Sequence, residues 1–420
     1  MAAIMIIASC GSSRKALRSV MSPDAATSEL YVHAVGDIIP RENKEQQAAQ
    51  SGNALDMTPL QRELEEILKD SVLQFSQMSV SIADLTAGSI IFEHRANQRM
   101  RPASTEKMVT AIAALDQLGP HYQFATRLLT TAVLDDDGTL CGDLYLRGGM
   151  DPLLSAADVR ELASRLRAAG VRQVRGRILA DVTMKDADEL GWGWCWDDEN
   201  PVLSPMLVSG KPVLLTAFEN ALRGAGVKVS VPVSGKGQAP ASARELAAIR
   251  RPLLEVMSPM MKESDNLCAE SVFYQLAPTR TKAADVIAKT LATAASADAE
   301  RRIVIADGSG LSLYNYHTAR SFQSLLTYAA ARPDSILTPL LSLLPIAATD
   351  GTLRKRMGGT VAAGNVRAKT GSVTAVSSLV GYAMQRSTGH LISFAILNNG
   401  VETMAQGRTL QDRICVAICQ

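Results

Sequence analysis

One stretch constrains the fold of this chain more than any other. Thr105-Glu-Lys-Met-Val-Thr-Ala-Ile-Ala-Ala-Leu115 is entered through Pro102-Ala103-Ser104 and stopped at Gly119-Pro120. A proline followed by serine and threonine opens a helix, and a Gly-Pro pair ends one. Apolar residues run nearly all the way round this helix, so no face of it can rest in water; it must be central, with other elements packed on every side. The chain can supply that cover. It has 420 residues, 47% of them hydrophobic and 20% charged, with a mean hydropathy of +0.06, the make-up of a globular protein of two or three domains.

Around the helix, elements of both kinds are expected. Leu60, Leu64, Ile67 and Leu68 recur at helical spacing behind a Thr58 cap. Val80–Ala83 and Ser89–Phe92 flank Thr86-Ala87-Gly88 as a hairpin, and Val376–Ala383 and Leu391–Leu397 flank Ser387-Thr-Gly389 as another. Helices layered on an antiparallel sheet make an α+β fold. From about 124 to 248 short strand-like runs (Gly142–Leu146, Arg177–Ala180) surround one helical run, Ala156–Ala169, and this block reads as an inserted smaller α/β domain. The domains expected are therefore a discontinuous catalytic domain, 58–123 and 249–420, and the insert, 124–248. A polar tether, 11–57, precedes them, with local order only over Leu30–Ile39.

The charge balance, 43 Lys+Arg against 42 Asp+Glu, offers no general attraction for nucleic acid or an anionic surface, so specificity must come from a site. The six cysteines contain no CxxC pair, and neither a metal nor a cofactor is expected. Cys415 and Cys419, four apart on a C-terminal helix, read as packing thiols. The apolar run Met1–Ala8 is far shorter than the roughly 20 residues of a membrane-spanning helix. Ile7-Ala8-Ser9-Cys10 before Gly11-Ser12-Ser13 resembles a bacterial lipobox, although no basic residue precedes it. The expectation is a truncated signal over 1–10, a lipid anchor on Cys10 and a periplasmic location. Five other cysteines would then remain, leaving at least one unpaired.

Three short patterns occur in chain order: Ser104-Thr-Glu-Lys107, Ser264-Asp-Asn266 and Lys369-Thr-Gly371. An SxxK is expected by chance on the order of once in such a chain, and Ser12–Lys15 is a second copy; SDN and KTG are each expected on the order of a tenth of a time or less. Position removes the decoys, because Ser12 lies in the tether and Ser51-Gly-Asn53 precedes the SxxK helix. The spacing has a chemical reason. Residues three apart on a helix share a face, so Lys107 can reach the Ser104 hydroxyl and act as its base, provided burial and a neighbouring cation such as Lys369 lower its affinity for protons. The amides of Ser104 and Ser372 would form an oxyanion site, and Gly371 would admit the substrate backbone. Ser264 would relay a proton to the leaving amine and Asn266 would hold a substrate amide. Lys369, Thr370 and Ser372 would bind a terminal carboxylate, which implies a C-terminal peptide substrate.

SxxK, SxN and KTG in this order are the signature of penicillin-binding proteins and class A β-lactamases. The resemblance extends from about residue 58 onward. Through Arg101–Lys107, Gly142–Leu146, Gly149–Pro152, Gly191–Trp194, Lys262–Leu267, Asp307–Ser312, Asp350–Arg356 and Ala368–Ser372, the chain resembles the penicillin-binding protein 4-type D-alanyl-D-alanine carboxypeptidases and endopeptidases (the DacB family, peptidase family S13). That resemblance implies a serine β-lactamase/DD-peptidase-like fold, an antiparallel sheet flanked by helices plus a helical lobe. It also implies a Ser104 acyl-enzyme, peptidoglycan stem peptides as substrate and acylation by β-lactam antibiotics. Two departures stand out. The chain reaches SxN soon after Gly191–Trp196, so the second insert of longer members is missing. Leu313 follows GSGLS where members that read diaminopimelate often carry arginine, while Asp151 is kept, either as a turn residue or as a contact for a substrate amine.

Duller roles are expected elsewhere: His94 and His121 as structural residues, and Trp192, Trp194 and Trp196 as packing. Two other functions stay open. A β-lactamase needs a deacylating water, and no class A ExxLN stretch lies between SxxK and SxN; a catalytically idle cell-wall binding module would keep the motifs without acylation.

Overall fold

Met78 to Asp84 are buried without interruption, which marks the Gln77–Asp84 strand as an interior strand covered on both faces. It lies between Leu391–Asn399 and Ser89–His94 in a five-stranded sheet of order Arg367–Val373, Val376–Met384, Leu391–Asn399, Gln77–Asp84, Ser89–His94, antiparallel throughout. Both expected hairpins are in it. The computed structural model describes residues 57–231, 235–295 and 303–420. Cys10, Leu30–Ile39 and all of the tether but Met57 lie outside the described residues.

On one face of the sheet Met78, Val80, Ile82, Leu379, Phe394 and Ile396 share a core with Leu64 and Ile67 of the Pro59–Ile67 helix and with Leu410, Ile414 and Ile418 of the C-terminal Met404–Cys419 helix. The first of these helices starts where expected. Thr58 Oγ1 accepts from Gln61 N at 3.2 Å while Gln61 Oε1 accepts from Thr58 N at 2.9 Å, a capping box that satisfies two otherwise orphaned donors. Cys415 and Cys419 are buried in this core as packing thiols; burial pushes both up, Cys419 to about 12. On the opposite face Ser393 Oγ accepts from Gln323 Nε2 at 2.5 Å, and Tyr382 OH donates to Leu326 O at 3.1 Å, both partners lying on the Ala319–Ala330 helix.

The all-round apolar helix, Glu106–Leu118, is buried from Glu106 to Leu115 and ends at Gly119. Its buried acidic residue, Glu106, goes into the core with a partner. Glu106 Oε2 lies 2.8 Å from His317 Nε2, both side chains without exposure, and burial raises the carboxyl above its ordinary range. His317 is held in turn by the Phe322 ring, centroids 5.0 Å apart, and by backbone hydrogen bonds with Met100.

These elements belong to one compact unit, made of residues up to Pro120, Met261–Asp265 and Asp285–Gln420; a second unit comprises His121–Met260 and Asn266–Ala284. The second unit is α/β. Its four-stranded sheet runs Ile178–Asp181, Leu144–Arg147, Gln123–Thr130, Arg244–Pro252, beside a small parallel sheet of three two-residue strands. Leu128, Leu146, Leu162, Phe218 and Leu222 are in its core, the last three from the helices Ala156–Ala168 and Leu214–Gly224. It takes more chain than 124–248. Arg244–Pro252 pairs with Gln123–Thr130 from Thr130↔Arg244 to Gln123↔Pro252, and that ladder draws residues past 248 into the same sheet. Trp192 and Trp196 depart from the packing expected of them: Trp196 is 93% exposed, and Trp192, 50% exposed, meets the Arg280 guanidinium 4.8 Å from its ring. The irregular 191–200 segment gives them no regular element to pack on.

Candidate active site

Ser104 sits in a single 3-10 turn, Ala103–Thr105, just before the buried helix. The turn is tied by Thr105 Oγ1 donating to Pro102 O at 2.7 Å, and Ala103 takes a left-handed φ of 49° to make it. One helical step on, Lys107 has no exposed surface and places Nζ 3.0 Å from Ser104 Oγ. Its Nζ also donates to Ser309 O at 2.7 Å, so its position is set from two sides. The loop supplying that carbonyl is built around a buried carboxylate. Asp307 accepts from the amides of Gly310 (2.8 Å) and Ser312 (2.7 Å) and from Asn315 Nδ2 (2.7 Å). Gly310, at φ 83°, packs against the Ala103 carbonyl so closely that a β-carbon there would collide with it. The DGSGLS segment is therefore a shaped support for the Ser104 turn and for Lys107.

A second contact faces the first. Lys369, also without exposure, donates to Ser264 Oγ and to Thr370 O, both at 2.8 Å. Ser264 stands at φ 64°, an uncommon conformation for a residue with a side chain. Burial first, and the charge of Lys107 second, hold Lys369 well below the ordinary lysine range. Two lysines this deep oppose each other's charge, which is what a serine nucleophile needs from a base nearby. Gly371 lies over the nucleophile turn. A β-carbon there would sit 2.5 Å from Pro102 O and 3.2 Å from Ser104 N, so the strand must carry glycine to bring its backbone beside the Ser104 amide. The glycine thus answers to the protein's own backbone, a reason different from the substrate approach expected of it.

Ser104, Ser264, Thr370 and Ser372 line one cleft of about 230 Å³ together with Thr352, Arg356 and Arg408. Thr370 Oγ1 and Thr352 Oγ1 are 2.8 Å apart, which joins the KTG strand to the Gly351–Leu353 turn. Ser309, Thr352 and Arg356 lie in segments that carried the resemblance but were given no role in the site, and nothing local marks Arg408; only the packing brings them to the cleft. Asn266 opens the Asn266–Leu276 helix in the second unit. Asp151, in the same unit, is 4% exposed and held by Arg251 Nε at 2.8 and 3.1 Å and by the Leu153 amide at 2.9 Å. Its carboxyl is pushed up by burial, against the Arg251 charge. His94 is half-buried and His121 exposed, and neither lines the Ser104 cleft.

Residues 60–208 and 208–418 match the profile of the D-Ala-D-Ala carboxypeptidase 3 (S13) family. The chain belongs to that family. A carboxypeptidase of Mycobacterium tuberculosis is 30% identical over 373 residues, spanning 80% of this chain and 79% of the relative. A D-alanyl-D-alanine carboxypeptidase of Actinomadura sp. is 28% identical over 465 residues, spanning 87% and 85%. The crystal structure of penicillin-binding protein 4 (dacB) from Haemophilus influenzae covers 83% of this chain and 94% of its own with a TM-score of 0.70 at 23% identity, a likeness of fold; that protein has also been solved with a β-lactam. The fold is that of the serine DD-peptidases, and the protein is a serine-type enzyme of this family.

The depressed Lys369 makes a stability prediction for this S13 enzyme. In the unfolded chain a lysine titrates near about pH 10.4. As pH falls from there, the unfolded chain binds the proton before the folded one, so the parent loses stability until the folded value is reached. Lys369→Met removes that loss. Relative to the parent it should therefore gain stability between about pH 10.5 and pH 7. Urea unfolding at the two pH values checks this; a variant that gains nothing at pH 7 would mean the buried amine is not depressed.

Proposed function

We propose that this protein is a serine D-Ala-D-Ala carboxypeptidase and endopeptidase of peptidoglycan stem peptides, working in the periplasm from a lipid anchor on Cys10. The location and the anchor rest on the Ile7–Ser13 lipobox alone. What carries the chemistry is the Ser104–Lys107 contact opposite the Ser264–Lys369 contact in one cleft. Lys107 takes the Ser104 proton as Oγ attacks the penultimate D-Ala carbonyl, and the amides of Ser104 and Ser372 receive the developing oxyanion. The C–N bond breaks, Ser264 hands a proton to the leaving amine, and water then hydrolyses the Ser104 ester. Lys369, Thr370 and Ser372 bind the terminal carboxylate of the substrate.

A β-lactam presents the same carbonyl in a ring. Opening the ring forms the Ser104 ester with nothing released, so intact-mass measurement of the full chain should show one benzylpenicillin added to the parent, lasting for minutes to hours, and none added to Ser104→Ala. No adduct on the parent would favour an idle binding module. Fast loss of penicillin without a lasting adduct would favour a β-lactamase.

A further inference from the structure

The catalytic cleft does not end at the KTG strand. Thr352, Arg356 and Arg408 also line a larger groove of about 590 Å³, bordered further by Arg354, Lys355 and Asp412. The two spaces adjoin at these three shared residues, and Thr352 Oγ1 there is 2.8 Å from Thr370 Oγ1 of the KTG strand. The groove is strongly cationic, with four basic side chains against one carboxylate. That carboxylate is already used: Asp412 Oδ1 accepts from Arg356 at 2.6 and 3.0 Å. Gln411 Oε1 at 3.0 Å and the Arg408 carbonyl at 3.3 Å complete the hold on Arg356, leaving its Nη1 without a partner among the described residues. Arg354, Lys355 and Arg408 are exposed, and among the described residues none has an ion pair. Three unpaired cations in a groove repel one another unless an anion joins them. The terminal carboxylate of a single released D-Ala would already be taken by Lys369, Thr370 and Ser372, so it cannot be that anion.

We propose that Arg354, Lys355 and Arg408, above the fixed Arg356, form a second anion subsite on the leaving-group side. It takes the distal carboxylate of a peptide leaving group, and so favours cleavage of cross-linked stem peptides. This rests on the function proposed above. Ser104 Oγ bonds to the acyl carbon, the amide C–N bond breaks, and the nitrogen takes a proton and departs as the side-chain amine of a diamino acid in the neighbouring peptide. That peptide carries one carboxylate beside the amine's chain and another at its C-terminus, and the groove offers the second one a partner.

The test uses two synthetic cross-linked peptides with the same scissile bond, the leaving peptide ending in a free carboxylate or in an amide. For the parent, kcat/KM should favour the carboxylate form by about tenfold, what two or three exposed charge pairs supply, and raised salt should shrink the ratio. In Arg354→Ala/Lys355→Ala, both positions outside the Ser104 cleft, the ratio should fall toward one. Because the ratio is taken within each protein, a general loss of activity does not mimic the result. A parent ratio near one, or a ratio that survives the double substitution, overturns the subsite. A parent that benzylpenicillin fails to acylate brings down the function itself, and the subsite with it.

Discussion

Replacing Lys107 by methionine should slow acylation of Ser104 by benzylpenicillin about a thousandfold while the protein stays folded. The side chain has no exposure and methionine fills nearly the same volume, so the packing of the Glu106–Leu118 helix survives. What is lost is the amine 3.0 Å from Ser104 Oγ. A serine hydroxyl without a positioned base keeps its proton in the transition state, and general-base catalysis is worth about 10²–10⁴ in rate. Time-resolved intact mass gives the rate, and thermal unfolding confirms the fold. A variant that acylates within a few-fold of the parent would move the base role to Lys369. The same experiment as a pH series has a required shape: Lys107 must be without its extra proton to take one from Ser104, so the parent's rate should rise with pH to a plateau.

Gly371→Ala should cost about 10²–10³ in acylation rate, the usual price of losing one oxyanion donor. The β-carbon cannot be accommodated by moving a flexible side chain, because its nearest neighbours are backbone: Pro102 O at 2.5 Å, Thr105 N at 3.0 Å and Ser104 N at 3.2 Å. The Arg367–Val373 strand or the nucleophile turn must shift, and either movement alters the spacing of the Ser104 and Ser372 amides. Overpacking of this kind destabilises by about 1–3 kcal/mol, so thermal unfolding should fall alongside activity. If Gly371→Ala unfolds earlier yet acylates at the parental rate, the two amides are not the oxyanion site.

Much of the fold was legible because its signals are local. The helix from Glu106 is apolar all round and is buried all round, the Thr58 cap starts the helix it was expected to start, and the Thr86–Gly88 and Ser387–Gly389 turns join paired strands. The inserted block was legible as α/β, but its limits were not. Residues 249–252 show no change of composition where they join the Gln123–Thr130 ladder, and only strand pairing puts them there. Trp192 and Trp196 departed for the converse reason, since an aromatic residue reports a wish for burial but carries no information on whether an element is at hand to cover it.

By itself the sequence determined the chemistry available: a serine and a lysine on one helical face, a second serine, a second lysine, and a glycine after it, in an order that chance does not produce. Periodicity and spacing act over a few residues, and that is enough to define such a pair. Only the tertiary structure decided how the pieces meet. Ser264 and Lys369 are 105 residues apart and touch at 2.8 Å; Lys107 reaches a carbonyl 202 residues away; Glu106 enters the core against His317; Arg356 and Arg408 line both the Ser104 cleft and a cationic groove beside it. Such contacts depend on which strands and loops pack together, a cooperative outcome of burying the whole core, and no local pattern in the chain encodes them.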